Sequence, residues 1–398
     1  MYKRQALRLF DEVLVPATRA QDDPMNLAYI PAAPTRAAIA FDLATSAANM
    51  IGAYWEAGAG AIHAENEALA WLVSLLGWPA EAGGCFVSGG TSGNLAGLVA
   101  ARETARIGRA RPEGRWLLAC SADVHSSIVA ATRVMDVDIL PIAGDERGRA
   151  TGAALAVALS TVGPEDRVFA VAASAGTTNA GIIDDLRGIA DICTERGIWL
   201  HVDGAYGGAA LAAPSVRGRF SGIERADSFI VDPHKWLFAP YDCCAVLYRR
   251  PEYARGAHSQ TASYLDTVDR EMWNPADYAV HLSRRVRGLP FWFSLASHGT
   301  RAYSEAIERG LAIAGEVADA IRASGQLRLV IEPDLSVLLF ERPGWGEARY
   351  LAWSHELAIS GELLCLPTKW RGRTVLRLAF VNPATDPQRV IALLDTLR

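Results

Sequence analysis

From about residue 84 the chain alternates short apolar runs with longer stretches of helical spacing, and this alternation constrains the fold more than any other feature. The apolar runs fall at 116–120, 139–142, 167–173, 198–202 and 228–231; the helical stretches fall at 91–107, 126–135, 152–159 and 186–196. Strands separated by helices are joined by crossovers, so the pattern predicts an α/β fold with a mostly parallel sheet covered by helices. Ahead of it, 35–54 and 61–76 are rich in Ala and Leu at helical spacing. Behind it, polar residues with scattered aromatics predict a long loop over 250–282. A helix over 302–322 follows, then strand-like runs at 327–331, 336–340 and 374–380 with a helix between them. The expected organisation is an N-terminal helical segment (1–80), a large domain (81–304) and a small C-terminal α+β domain (305–398).

Composition narrows the class. A chain of 398 residues, 51 % apolar, can bury a substantial core and is not disordered. A formal charge of −5 points to neither nucleic acid nor an anionic membrane surface. The N-terminal stretch does not read as a secretory signal, and no apolar run is long enough to suggest a membrane span. The six cysteines include no Cys-x-x-Cys pair, which suggests reduced thiols in a cytoplasmic protein. The eight histidines show no metal-ligand spacing, so no metal site is expected.

Two motifs sit where predicted strands end, and a third opens a predicted helix. Asp232-Pro233-His234-Lys235-Trp236 follows the run 228–231. A lysine between an imidazole and an indole at the end of a buried strand is expected to be desolvated. Desolvation favours the neutral, nucleophilic amine; the plainer alternative is a lysine whose head snorkels to water. His201-Val202-Asp203-Gly204-Ala205-Tyr206 places a carboxylate at another strand's end, either as a ligand group or as a helix cap. Gly89-Gly90-Thr91-Ser92-Gly93-Asn94 opens a helix with small residues and hydroxyls, suited to an anion or to simple capping. Taken together, amine, carboxylate and glycine-rich turn suggest pyridoxal 5'-phosphate. Lys235 would bind the aldehyde, Asp203 would pair with the pyridine nitrogen, and the 90–94 turn would hold the phosphate. His125, after the run 116–120, could stack on the ring and exchange protons.

The chain resembles the group II pyridoxal-phosphate-dependent amino-acid decarboxylases, the family of the aromatic-L-amino-acid, histidine and glutamate decarboxylases. The resemblance rests on Ser-Ala-Asp-Val-His-Ser-Ser at 121–127, Ala-Gly-Thr-Thr-Asn at 175–179, His-Val-Asp-Gly-Ala-Tyr at 201–206 and Asp-Pro-His-Lys-Trp at 232–236, in collinear order. It implies fold type I, the aspartate-aminotransferase-like architecture, and a homodimer. It implies Lys235 as the cofactor lysine, Asp203 as the ring-nitrogen partner and His125 as the stacking histidine. Thr178 would lie near the cofactor's phenolic oxygen or the substrate carboxylate, and Thr91, Ser92 and His234 would serve the phosphate. Tyr264 is similar to a loop tyrosine that protonates the substrate carbon after carbon dioxide leaves. Arg284 is similar to an arginine that holds this region in place.

Asp232 departs from the asparagine common in the family, since a carboxylate near a phosphate repels it unless it turns to the backbone. Tyr29, Pro31, Tyr54 and Trp55 fall where relatives line the side-chain pocket, and Ser283 precedes the Arg-Arg pair. This set implies an aromatic substrate such as tyrosine, DOPA or phenylalanine. The expected activity is decarboxylation of an L-amino acid to the amine and carbon dioxide. The alternatives are another enzyme of the same fold (aldehyde synthase, aminotransferase or carbon–sulfur lyase) and a non-catalytic scaffold. Arg377, the one residue that could serve an aminotransferase, is expected on the outer face of the small domain.

Overall fold

The computed structural model describes residues 2–107, 112–261, 263 and 269–397. Seven strands form the larger sheet: β1 Gly83–Val87, β2 Trp116–Ser121, β3 Asp138–Ile142, β4 Arg167–Ser174, β5 Trp199–Asp203, β6 Ser228–Val231 and β7 Cys244–Tyr248. Their order is β1-β7-β6-β5-β4-β2-β3. The five strands from β3 to β6 pair in parallel, while β7 pairs antiparallel with both β6 and β1. Every residue of β5 and β6 is buried, as expected for strands covered by helices on both faces. The architecture is α/β, of fold type I.

Several predicted elements match residue for residue: the helices Ser126–Met135, Gly152–Leu159 and Leu186–Arg196, and the strand Ser228–Val231. The first long helix is shorter than predicted, Arg36–Ala48, because Asn49 adopts a left-handed conformation (φ 50°) and ends it. The helix Leu289–Ala323 begins earlier than expected and is broken at Gly299, whose φ of 76° interrupts the helical path.

Two expectations are corrected. The stretch 250–282 is not all loop: Pro251–His258 is a helix with proline at its first position. Pro251, Ala254 and His258 form its buried face, a helical spacing concealed by the polar residues between them. The second sheet has four strands, in the order β10-β11-β9-β8: β8 Arg328–Leu329, β9 Val337–Glu341, β10 Leu366–Trp370 and β11 Arg373–Ala379. The local pattern does not predict β10. Pro367 argues against a central strand but is tolerated here at the sheet edge. Arg371 and Gly372, both at positive φ, close the β10–β11 hairpin.

Candidate active site

Four strand ends meet at one cavity. Asp203 is the last residue of β5, Lys235 lies just past β6, His125 just past β2, and the Gly89–Gly90 turn just past β1. A cavity of about 210 Å3 is lined by Gly90, Thr91, His125, Asp203, Asp232 and Lys235, among others. It lies at the carboxyl ends of the parallel strands, where open α/β sheets bind ligands. The turn is tight: a Cβ on Gly90 would come within 3.2 Å of Asp232 Oδ2 and 3.3 Å of Ala205 Cβ.

Lys235 is not the neutral amine that its burial suggested. Burial pulls its pKa down, but Asp232 Oδ2 lies 2.8 Å from Nζ and the net shift is upward. Nor does the Asp232 carboxylate turn to the backbone. Oδ2 holds the ammonium, and Oδ1 is buried with no hydrogen-bond partner. His234 Nδ1 accepts from the Cys243 backbone N–H, and its ring lies 4.8 Å from that of Tyr241. Burial lowers the His234 pKa, against the opposing charge of Asp232. The Trp236 indole stacks on Tyr206, with ring centroids 5.4 Å apart.

Asp203 Oδ1 accepts from the Ala205 N–H and Oδ2 from Asn94 Nδ2. Asn94 thus lies one turn into its helix and serves the carboxylate, and is not the end of a phosphate-holding turn. Thr91 lines the cavity, while the Ser92 hydroxyl bonds that of Ser88. His125 caps its helix through Nδ1, which accepts from the Ser127 N–H.

His125 also borders an adjoining cavity of about 460 Å3, together with Tyr29, Thr178, Leu366, Pro367 and Arg377. Arg377 is therefore not on an outer face. It is buried and donates to the backbone carbonyls of Tyr29 (2.7 Å), Thr178 (2.7 Å) and Asn179 (3.1 Å). Its place on β11 brings it against the 29 and 178–179 segments, a relation that local sequence does not carry. Pro31 is buried and borders neither cavity. Tyr54 and Trp55 pack near residues 270–274: Tyr54 lies under the Arg270 guanidinium, and Trp55 N–H donates to Asn274 Oδ1. Ser283 borders a separate hollow with Met50, Ile51 and Arg285. Arg284 is buried and donates to both oxygens of Glu65 (2.7 and 2.8 Å) and to the Gly52 carbonyl. Tyr264 lies outside the described residues.

The donor set fits pyridoxal phosphate. An amine, a carboxylate and a helix N-terminus built of small residues share one cavity, and the six cysteines, all free and buried, lie outside its lining. The chain has three lysines, and the other two are Lys3 on the exposed N-terminal helix and Lys369, paired with Glu347 on the surface. Among the described residues there is no cluster of side chains that could hold a metal ion, and no helix long and apolar enough to cross a membrane.

This arrangement defines a fold type I pyridoxal-phosphate enzyme, and comparison with known proteins narrows it. The pyridoxal-dependent decarboxylase conserved domain matches residues 5–342. The aromatic-L-amino-acid decarboxylase of Bacillus atrophaeus is 31 % identical, over 95 % of this chain and 81 % of its own. The L-2,4-diaminobutyrate decarboxylase of Rhizobium meliloti (strain 1021) is 32 % identical, over 94 % of this chain and 77 % of its own. Among solved structures, Oryza sativa TDC with PLP and tryptamine superposes with a TM-score of 0.89 at 26 % identity, covering 100 % of this chain and 87 % of its own. The chain belongs to the pyridoxal-dependent decarboxylase family. It is a pyridoxal-phosphate-dependent amino-acid decarboxylase.

Proposed function

We propose that this enzyme decarboxylates an aromatic L-amino acid, such as tyrosine, DOPA or phenylalanine, to the amine and carbon dioxide. The supporting observation is the second cavity, which opens beside His125 and is walled by Tyr29, Ala28, Val124, Leu366 and Pro367. The apolar part of this wall suits an aromatic side chain. Bound pyridoxal phosphate supplies the electron sink that accepts the pair left when the bond from Cα to the carboxylate breaks.

The protein's part is to hold groups and move protons. Lys235 supplies the amine for the cofactor's aldehyde, and Asp203 keeps a proton on the ring nitrogen. His125, which borders both cavities, faces the ring, and Thr178 lines the outer one. Thr91, Ser92, His234 and the helix N-terminus serve the phosphate. Tyr264 donates the proton that replaces carbon dioxide on the substrate carbon; a phenol is protonated at neutral pH and can donate. Each Arg377 nitrogen donates to a backbone carbonyl, which ties the guanidinium to the 29 and 178–179 segments and limits its use as the clamp on the substrate carboxylate that an aminotransferase needs. This favours decarboxylation over transamination.

A second substrate reading has its own support. Asp123 borders the outer cavity and could meet the side-chain ammonium of L-2,4-diaminobutyrate. Carbon dioxide release from tyrosine, DOPA, phenylalanine, tryptophan and diaminobutyrate separates the two. An aromatic substrate turned over most efficiently supports our reading, and turnover of diaminobutyrate alone overturns it. Tyr264→Phe run alongside suppresses amine and raises aldehyde; an unchanged amine yield would remove Tyr264 from the reaction.

We further propose a homodimer in the cytosol, with the chain divided at about residues 80 and 304. Leu7, Leu9, Phe10, Val13 and Leu14 along the N-terminal helix, and Leu43 on the next, leave apolar surface for a second copy to cover. Tyr54, Trp55 and Ser283, which border neither cavity within one chain, would contribute to substrate binding through that dimer.

A further inference from the structure

Asn94 stands at the centre of a buried hydrogen-bond path. Trp199 Nε1 donates to Ser228 Oγ, which bonds His201 Nδ1; both distances are 2.8 Å. His201 Nε2 lies 2.9 Å from Asn94 Oδ1. Asn94 Nδ2 donates to Asp203 Oδ2 and to Ser127 Oγ, each at 2.9 Å. Ser127 Oγ then lies 2.8 Å from His125 Nδ1. All of these residues except His125 are buried.

The two ends of the path constrain where its protons sit. An indole N–H can only donate. Ser228 Oγ therefore accepts from Trp199, and its second lone pair and its proton leave it able either to accept from His201 Nδ1 or to donate to it. At the other end an ionised carboxylate can only accept. Asp203 therefore faces the Asn94 amide N–H2, which turns Oδ1 toward His201. This end decides: His201 carries its proton on Nε2, and its bare Nδ1 takes the Ser228 proton. Burial lowers the His201 pKa to about 4, with Asp203 opposing, so the ring stays neutral in the physiological range.

The remaining branch fixes His125. Ser127 Oγ accepts from the Asn94 N–H2, which cannot take a proton in return, so the hydroxyl proton is left for His125 Nδ1. The Ser127 backbone N–H points at the same atom, at 3.2 Å. We propose that Asn94 is a positioning residue that fixes His125 in the tautomer with Nδ1 bare and the proton on Nε2. His125 then presents an N–H, not a lone pair, to whatever occupies the cavities it borders, and one amide sets both this donor and the Asp203 carboxylate. The inference rests on the reading that His125 faces cofactor and substrate.

The test is nitrogen NMR on protein labelled with 15N at histidine, with and without bound pyridoxal phosphate, His125 being assigned by its loss in His125→Gln. In wild type, above the ring's titration, Nδ1 reads as unprotonated and Nε2 as protonated. In Ser127→Ala, which leaves the Asn94–Asp203 bond intact, the two nitrogen shifts move toward each other as the second tautomer gains population. Ser127→Thr, which keeps the hydroxyl, restores the wild-type pattern, and Asn94→Ala gives the mixture at both His125 and His201. A wild-type proton on Nδ1, or a pattern unmoved by Ser127→Ala, overturns the inference. The readout needs no turnover, so failure to release carbon dioxide would sink the decarboxylase reading and leave this result standing.

Discussion

Arg284 and Arg377 are both buried, and the contrast between them separates the frame of this enzyme from its working site. At Arg284, burial acts to lower the pKa, but bidentate contact with Glu65 outweighs it and the net shift is upward. Glu65 Oε1 also accepts the Gly288 N–H, so the pair ties the start of the 289–323 helix to the 55–76 helix. Arg377 is surrounded by backbone carbonyls. Burial lowers its pKa to about 10, with smaller opposing effects from Tyr206 and Cys365, and it remains charged at neutral pH. Carbonyls accept from each of its three nitrogens without cancelling its charge. The first cation is closed off by its counter-ion; the second leaves net positive charge beside a cavity.

The largest effect expected from this contrast is on stability. Arg284→Met strands the buried Glu65 carboxylate and lowers unfolding free energy by about 3–5 kcal/mol. Adding Glu65→Leu recovers much of that loss, because no buried charge is then left unpaired. Chemical denaturation measures both, and a double variant as unstable as the single one would break the frame half of the comparison. Arg377→Met leaves carbonyls without donors and costs less, about 1–3 kcal/mol. Its main effect is on kcat/KM, since Tyr29 and Thr178 lose the group that positions them. A stability loss as large as that of Arg284→Met, with activity retained, would erase the distinction.

A smaller effect concerns a third cation, Lys235, whose counter-ion sits inside the site. Its pKa is raised, so the ammonium and its bond to Asp232 persist through the neutral range and are lost as pH rises through the folded-state value. The aldehyde needs the neutral amine. Asp232→Asn removes the opposing charge and moves the pH dependence of pyridoxal phosphate binding to lower pH, read from visible absorbance. An unmoved curve would show that Asp232 does not govern the amine.

Much of this was legible in sequence wherever local pattern determines structure. The strand ends carrying His125, Asp203 and Lys235 were readable because short apolar runs bounded by helical stretches have few alternative arrangements. What escaped depends on contacts between distant segments. Asn94 reads as part of a glycine-rich turn until β5 brings Asp203 to its amide. Arg377 reads as a surface residue until the 29 and 178 carbonyls close on it. Burial alone implies a neutral Lys235, but Asp232, three residues away and facing the same cavity, favours the ammonium. The Pro251–His258 helix was missed because only every third or fourth of its residues is buried.

The covalent link at residue 235 is tested most directly by reducing the cofactor-loaded enzyme with borohydride and mapping the pyridoxyl group by peptide mass spectrometry. With Lys3, Lys235 and Lys369 as the three candidates, the account predicts the label on Lys235 alone, and none in Lys235→Ala. A label on either other lysine, or an unlabelled Lys235 in active enzyme, would contradict it.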